Sequence, residues 1–105
     1  MTKKITQKIN PPKLMVSLSL TNGSFLNLTD IITLDFSKIN NGIFIKNNSD
    51  ENGDIISIKF SDVSNTTNII ELINNDNIFI EHDNISTLQL KKISSNPISM
   101  SILVN

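Results

Sequence analysis

The chain has 105 residues, 38 % of them hydrophobic, with nine lysines against ten carboxylates and a formal net charge of −1. That length accommodates one core and not two, and a near-neutral composition led by Ile and Leu argues against disorder for the body of the chain. The absence of cysteine excludes disulfides and thiolate metal sites, and no apolar run approaches the roughly 20 residues of a membrane-spanning helix.

Residues 1–12 form a basic arm. Lys3, Lys4, Lys8 and the adjoining Lys13 stand there without a single acid, and Pro11-Pro12 stiffens the backbone as extended polyproline at its end. All ten carboxylates follow, so the near-zero net charge conceals a basic arm on an acidic body. Residues 13–105 then read as one domain.

From Lys13 onward the apolar period is two. Leu14, Val16, Leu18 and Leu20 alternate with polar positions after Met15, the pattern of a strand with one buried face. Thr21-Asn22-Gly23-Ser24 predicts a tight hairpin reversal, because Asn and Gly tolerate positive φ, and Phe25 to Leu28 predicts the returning strand. Ile31 to Phe36 is the next predicted strand, and Lys38 to Gly42 turns the chain into Ile43-Phe44-Ile45-Lys46. A polar loop, Asn47 to Asp54, reverses into Ile55 to Phe60, the clearest hairpin of the chain by pattern. Ser61 to Asn68 is a long polar connection that suits a crossing between sheets. Ile69 to Ile73, Ile78 to Glu81, Ser86 to Ile93 and Ile98 to Val104 complete the strands.

Turns at about 8–12-residue spacing point to an all-β protein, an antiparallel β-sandwich, jelly-roll-like or Ig-like, of roughly seven to nine strands with an extended N-terminal arm. Helical signals are meagre. β-branching favours strand for Ile69-Ile70-Glu71-Leu72-Ile73, and Ile5 with Ile9 span too little chain for a helix that stands alone.

No residue set assembles a catalytic, cofactor or metal site by pattern. His82 is the single histidine; adjacent strand residues point to opposite faces, which separates it from Asp83, and no nucleophile elbow is present. Asp50-Glu51-Asn52-Gly53-Asp54 resembles a calcium loop in its acids only, since Ile55 stands where such a loop needs glycine and Ser61 where it needs a bidentate acid. A solvated hairpin tip is the expectation there, and likewise for Asn74-Asn75-Asp76-Asn77. Nucleic acid is not an expected partner, because the arm has no arginine, the chain no Tyr or Trp, and the body would repel phosphate. Five Asn-x-Ser/Thr triplets, starting at Asn22, Asn27, Asn47, Asn65 and Asn84, match by chance in so Asn-rich a chain, and residues 1–12 lack the apolar stretch of a secretory leader. The phenylalanines read mostly as core.

Taken together, Phe44-Ile45-Lys46-Asn47-Asn48-Ser49, the strand Ile55 to Phe60, Ile69-Ile70-Glu71-Leu72 before a turn, Ile78-Phe79-Ile80 and the closing strand Ile98 to Val104 resemble the small β-sandwich proteins of tailed-bacteriophage virions. The resemblance covers residues 31–105 in outline, and the turn after Leu72 lacks the Pro-Gly usual in those proteins. A composition rich in Ile, Asn and Lys and devoid of Ala and Arg suits phages of low-GC gut bacteria, crAss-like phages among them. What the resemblance implies is a non-enzymatic auxiliary or decoration protein, made in the host cytoplasm and bound in many copies to the major capsid protein or other virion proteins at the capsid surface. Lys3, Lys4, Lys8 and Lys13 are the expected partner-binding residues, meeting an acidic neighbour. Rival readings are a carbohydrate- or receptor-binding module of a fibre or adhesin, and a small intracellular inhibitor.

Overall fold

Alternation of Ile and Leu with polar residues is what makes the strands, since it gives each one a face to bury. The computed structural model describes residues 14–34 and 39–105. Its elements are β1 (Leu14–Leu20), β2 (Leu26–Asn27), a single helical turn α1 (Leu28–Ile31), β3 (Gly42–Asn47), β4 (Ile55–Ser61), β5 (Thr67–Leu72), β6 (Asn77–Glu81), β7 (Thr87–Ile93) and β8 (Ile98–Val104). A 3-10 turn, His82–Asn84, links β6 to β7. The expected arm, with Lys3, Lys4, Lys8 and Lys13, lies outside the described residues.

Two four-stranded antiparallel sheets result, ordered β1-β8-β3-β6 and β2-β7-β4-β5. The pairs β1–β8, β2–β7, β3–β6 and β4–β5 are those of one long hairpin folded on itself, and the β3–β8 and β4–β7 ladders close the wrap. This is jelly-roll topology, eight strands in two sheets. The inward rows meet in a core that is almost entirely Ile and Leu, among them Ile43, Ile45, Ile58, Leu88, Leu90 and Ile102, none of them measurably more than 1 % exposed. Burial of each such side chain contributes about 1.5–3 kcal/mol.

The connections differ from the sequence reading in an instructive way. Asn22-Gly23 is not a hairpin: β1 and β2 belong to different sheets, and Asn22 instead anchors the crossing, its amide donating to the carbonyl oxygens of Leu90 (2.7 Å) and Ser24 (3.0 Å). The strand expected at Phe25 to Leu28 shortens to Leu26–Asn27, and Leu28 opens α1, so Ile31 to Leu34 form no strand. The remainder of that expected strand, Asp35 and Phe36, lies outside the described residues. Asn52-Gly53 lies in an arch between sheets, not a hairpin, because β3 and β4 do not pair. Conversely, the polar stretch expected to cross between sheets is the hairpin: Ser61 pairs with Thr67. Its tip is held by Asp62, whose Oδ1 accepts from the amides of Ser64 and Thr66, both at 2.9 Å, while Asn65 takes φ of 63°. Gly42 is not a turn residue but the first residue of β3, opposite Glu81. A Cβ there would collide with the carbonyl oxygen of Ile80 and lie 2.7 Å from Cζ of Phe79.

Candidate docking face

The outer face of the first sheet carries a row of large apolar side chains that crosses all four strands. Register sets Met15 of β1 beside Leu103 of β8, Leu103 beside Phe44 of β3, and Phe44 beside Phe79 of β6. Inward neighbours alternate with them, Val16 with Ile102 and Ile45 with Ile78, so the row is a consequence of parity along each strand. Met15 is 69 % exposed and Phe79 50 %, while Phe44 and Leu103 are half-buried. Three interstrand gaps make the row about 14 Å wide.

Beside it runs a polar row, Ser17, Ser101, Lys46 and Asn77. Between the two lies a groove of about 520 Å³, lined by Met15, Ser17, Phe44, Lys46 and Leu103 among others. The Asn48 amide donates to Oγ of Ser101 at 2.7 Å and fixes the polar end of the groove. Phe44 and Phe79 therefore stand outside the core in which sequence reading put most phenylalanines. Of the four described ones, Phe60 alone is buried; Phe36 lies outside the described residues.

At the far edge Phe79 also borders an open cleft of about 310 Å³ with Asn40, Asn41, Glu81, His82 and Asp83. Contrary to the strand-parity argument, His82 and Asp83 are neighbours in space, with Nδ1 3.4 Å from Oδ1, because the chain leaves β6 at Glu81 and enters a 3-10 turn. Both side chains are solvated, 41 % and 95 % exposed, so the pair adds little. The outer face of the second sheet differs: there Lys91 and Lys59 stand over the Phe25 ring, 4.7 and 5.5 Å from its centre, and cover it with charge.

The acidic loop is only partly the solvated tip that its composition suggested. Asp50 to Gly53 are exposed, but Asp54 is buried and accepts hydrogen bonds from Oγ of Ser49 (2.6 Å) and of Ser94. Those bonds, Ser49 first, and the nearby charge of Lys92 hold its carboxyl below the usual carboxylate range against the opposing effect of burial. Its oxygens are thus committed to tying the β3–β4 arch to the β7–β8 connection. Asn47, fully buried, does similar work: its amide donates to the carbonyl oxygens of Asp54 (2.8 Å) and Leu72 (3.0 Å), and its Oδ1 accepts from the Ser49 amide at 3.0 Å. A glycan could not be carried there. Asn74-Asn75 is not a hairpin tip either, since β5 and β6 lie in different sheets; it is a tight turn in which Asn75 takes φ of 62°, and Asp76 Oδ1 accepts from the amide of Asn77, the first residue of β6.

Among the described residues no group of three or more His, Cys, Asp or Glu could hold a metal ion, and no helix is long and apolar enough to cross a membrane. No protein-family model, curated protein or solved structure matches the chain.

Proposed function

We propose that the protein is a non-enzymatic auxiliary or decoration protein of a phage virion, bound in many copies to the capsid shell through the outer face of the β1-β8-β3-β6 sheet. The carrying observation is the row Met15, Leu103, Phe44 and Phe79. A contiguous apolar stripe with a polar border marks a protein-interaction surface, and Met and Phe are types enriched in the centres of such surfaces. Jelly rolls recur in capsid and lectin domains, which agrees with the reading, although the face and not the fold carries the argument. In this account Lys3, Lys4, Lys8 and Lys13 add contacts to an acidic neighbour. Mass spectrometry of purified particles tests the proposal: the protein should be present at many copies per shell, and its absence from virions would end it.

One observation favours a second reading as a carbohydrate-binding module. Phe79 offers a half-exposed aromatic face beside the amides of Asn40 and Asn41 and the carboxylates of Glu81 and Asp83, a combination suited to stacking on a sugar and bonding its hydroxyls. Saturable binding on a glycan array, abolished by Phe79→Ala, would select this reading over the first.

A further inference from the structure

We propose that the edge of β1 opposite β8 is a self-association surface, at which two copies pair antiparallel about a two-fold axis through Ser17. Among the described residues four strands lie at sheet edges: β1, β6, β2 and β5. An edge presents unpaired N–H and C=O groups to any other strand, and proteins blunt it by shortness, charge or proline. β2 has two residues, β5 carries Glu71, and β6 ends in Glu81 and leads directly to His82 and Asp83. β1, by contrast, has seven residues, LMVSLSL, with neither charge nor proline, and among the described residues it pairs with β8 alone.

Its sequence is also complementary to itself. With Ser17 on the axis, Ser17 faces Ser17, Val16 faces Leu18, Met15 faces Ser19 and Leu14 faces Leu20 of the second copy. Every such pair joins positions of the same parity, so Val16 and Leu18 meet on the inward side and Met15 and Ser19 on the exposed one. A shift by one residue would set inward against outward and is rejected by the pleat. Other parity-preserving registers leave strand ends unpaired, whereas this one pairs all seven residues. Val16 and Leu18, half-buried at the open edge, gain cover from each other's copies, and the two first sheets become one continuous eight-stranded sheet. Such a contact is isologous, as a closed dimer requires. It would also place two apolar rows on the same face, so that a partner arrayed in many copies is gripped twice.

A single strand pair covers less than the ~1,200–2,000 Å² of a standard stable interface, which places it with weak contacts, and a dissociation constant on the order of 10 µM, about −7 kcal/mol, is the value to bracket. Sedimentation of the full 105-residue chain between about 1 and about 500 µM, bracketing that value, should therefore show the 11.7 kDa monomer giving way to a species of twice the mass. Ser17 is exposed, so Ser17→Lys and Ser17→Glu should leave far-UV circular dichroism and thermal unfolding of the monomer unchanged. Each sets like charges directly opposite across the axis, and each should weaken dimerisation at least tenfold, while an equimolar mixture of the two should restore it as a heterodimer. Wild-type protein that stays monomeric throughout would overturn the proposal. So would a Ser17→Lys variant that dimerises like wild type, and two monomeric variants that fail to associate when mixed would refute the Ser17-centred register.

Discussion

Phe44 and Phe79 lie directly opposite one another on β3 and β6, on the outer face of the sheet and not in the core. Their position follows from Ile43, Ile45, Ile78 and Ile80, which take the inward sites of the same two strands. Once those four point inward, parity leaves the two rings no other side. A ladder of Met, Leu and two Phe side chains on solvent is a surface that gains by being covered.

Truncating these rings separates docking from folding. Phe44→Ser with Phe79→Ser should weaken attachment to protein-depleted capsid shells at least 100-fold in co-sedimentation, because each buried aromatic anchor at an interface is worth about 2 kcal/mol or more. The isolated domain should remain folded, since Phe79 is half-exposed. Val63→Ser, a change at the exposed tip of the β4–β5 hairpin, should bind like wild type. Shell binding unaffected by loss of both rings would move the docking surface elsewhere.

Asn47 is expected to be the most sensitive polar position of the body. Asn47→Ala removes the amide that donates to the Asp54 and Leu72 carbonyl oxygens and leaves both in a buried site without that donor. Desolvated acceptors that lose a donor cost about 1–3 kcal/mol each, so urea titration should report a loss of about 3 kcal/mol, and Tm a fall on the order of 15 °C for a domain of this size. Asn47→Asp should be worse at neutral pH, where a carboxylate oxygen would face two carbonyl oxygens. A loss below about 0.5 kcal/mol for Asn47→Ala, the range of ordinary surface substitutions, would mean that the two carbonyls are satisfied by other donors.

Much of this was legible in the sequence, and the rest was not for definable reasons. β1 and β8 match their predicted bounds, Leu14 to Leu20 and Ile98 to Val104, because in each strand alternate positions are all apolar and serine fills two of the three between them. Which sheet a strand joins was not legible. Alternation separates inside from outside but says nothing of partners, so Asn52-Gly53 suggested a hairpin where an arch stands, and Ser61 to Asn68 a crossing where a hairpin stands. The docking face could have been found from Ile43-Phe44-Ile45-Lys46, whose parity puts Phe44 on the side of Lys46; counting phenylalanine as core by type overrode that signal. Asn47 carried no local mark among so many asparagines, since its role depends on Leu72, 25 residues away.

The glycines offer a paired test of what the Asn-Gly steps do. At Gly42 an added methyl would meet the Ile80 carbonyl oxygen and the Phe79 ring, so Gly42→Ala must separate β3 from β6 at its first pair. A loss of about 2–3 kcal/mol is expected, in the range of overpacking, together with displacement of Phe79 visible in its aromatic NMR signals. Gly23 has open space around it and no positive φ. Gly23→Ala should therefore be neutral or stabilise by about 0.5 kcal/mol through the unfolded chain. Equal losses at both sites would contradict the different roles assigned to them.

Acid should loosen the tie that Asp54 makes between the two arches. Its carboxyl titrates lower in the folded protein than in the unfolded chain, chiefly because Ser49 and then Ser94 donate to it, with Lys92 assisting. The unfolded state thus binds the proton first, and stability rises with pH through that interval. The contribution is complete above the unfolded carboxylate value of about 3.9 and is lost as pH falls towards the lower folded one. Urea midpoints measured at pH 6 and pH 3 should show the wild type weaker in acid. Asp54→Asn, which cannot ionise, should be less stable than wild type at pH 6 and should narrow the difference between the two pH values. Ser49→Ala should narrow it more than Ser94→Ala, in the order of their effects on the carboxyl. An undiminished acid sensitivity in Asp54→Asn would assign the pH dependence to other carboxylates and leave the Ser49, Asp54 and Ser94 tie without an energetic role.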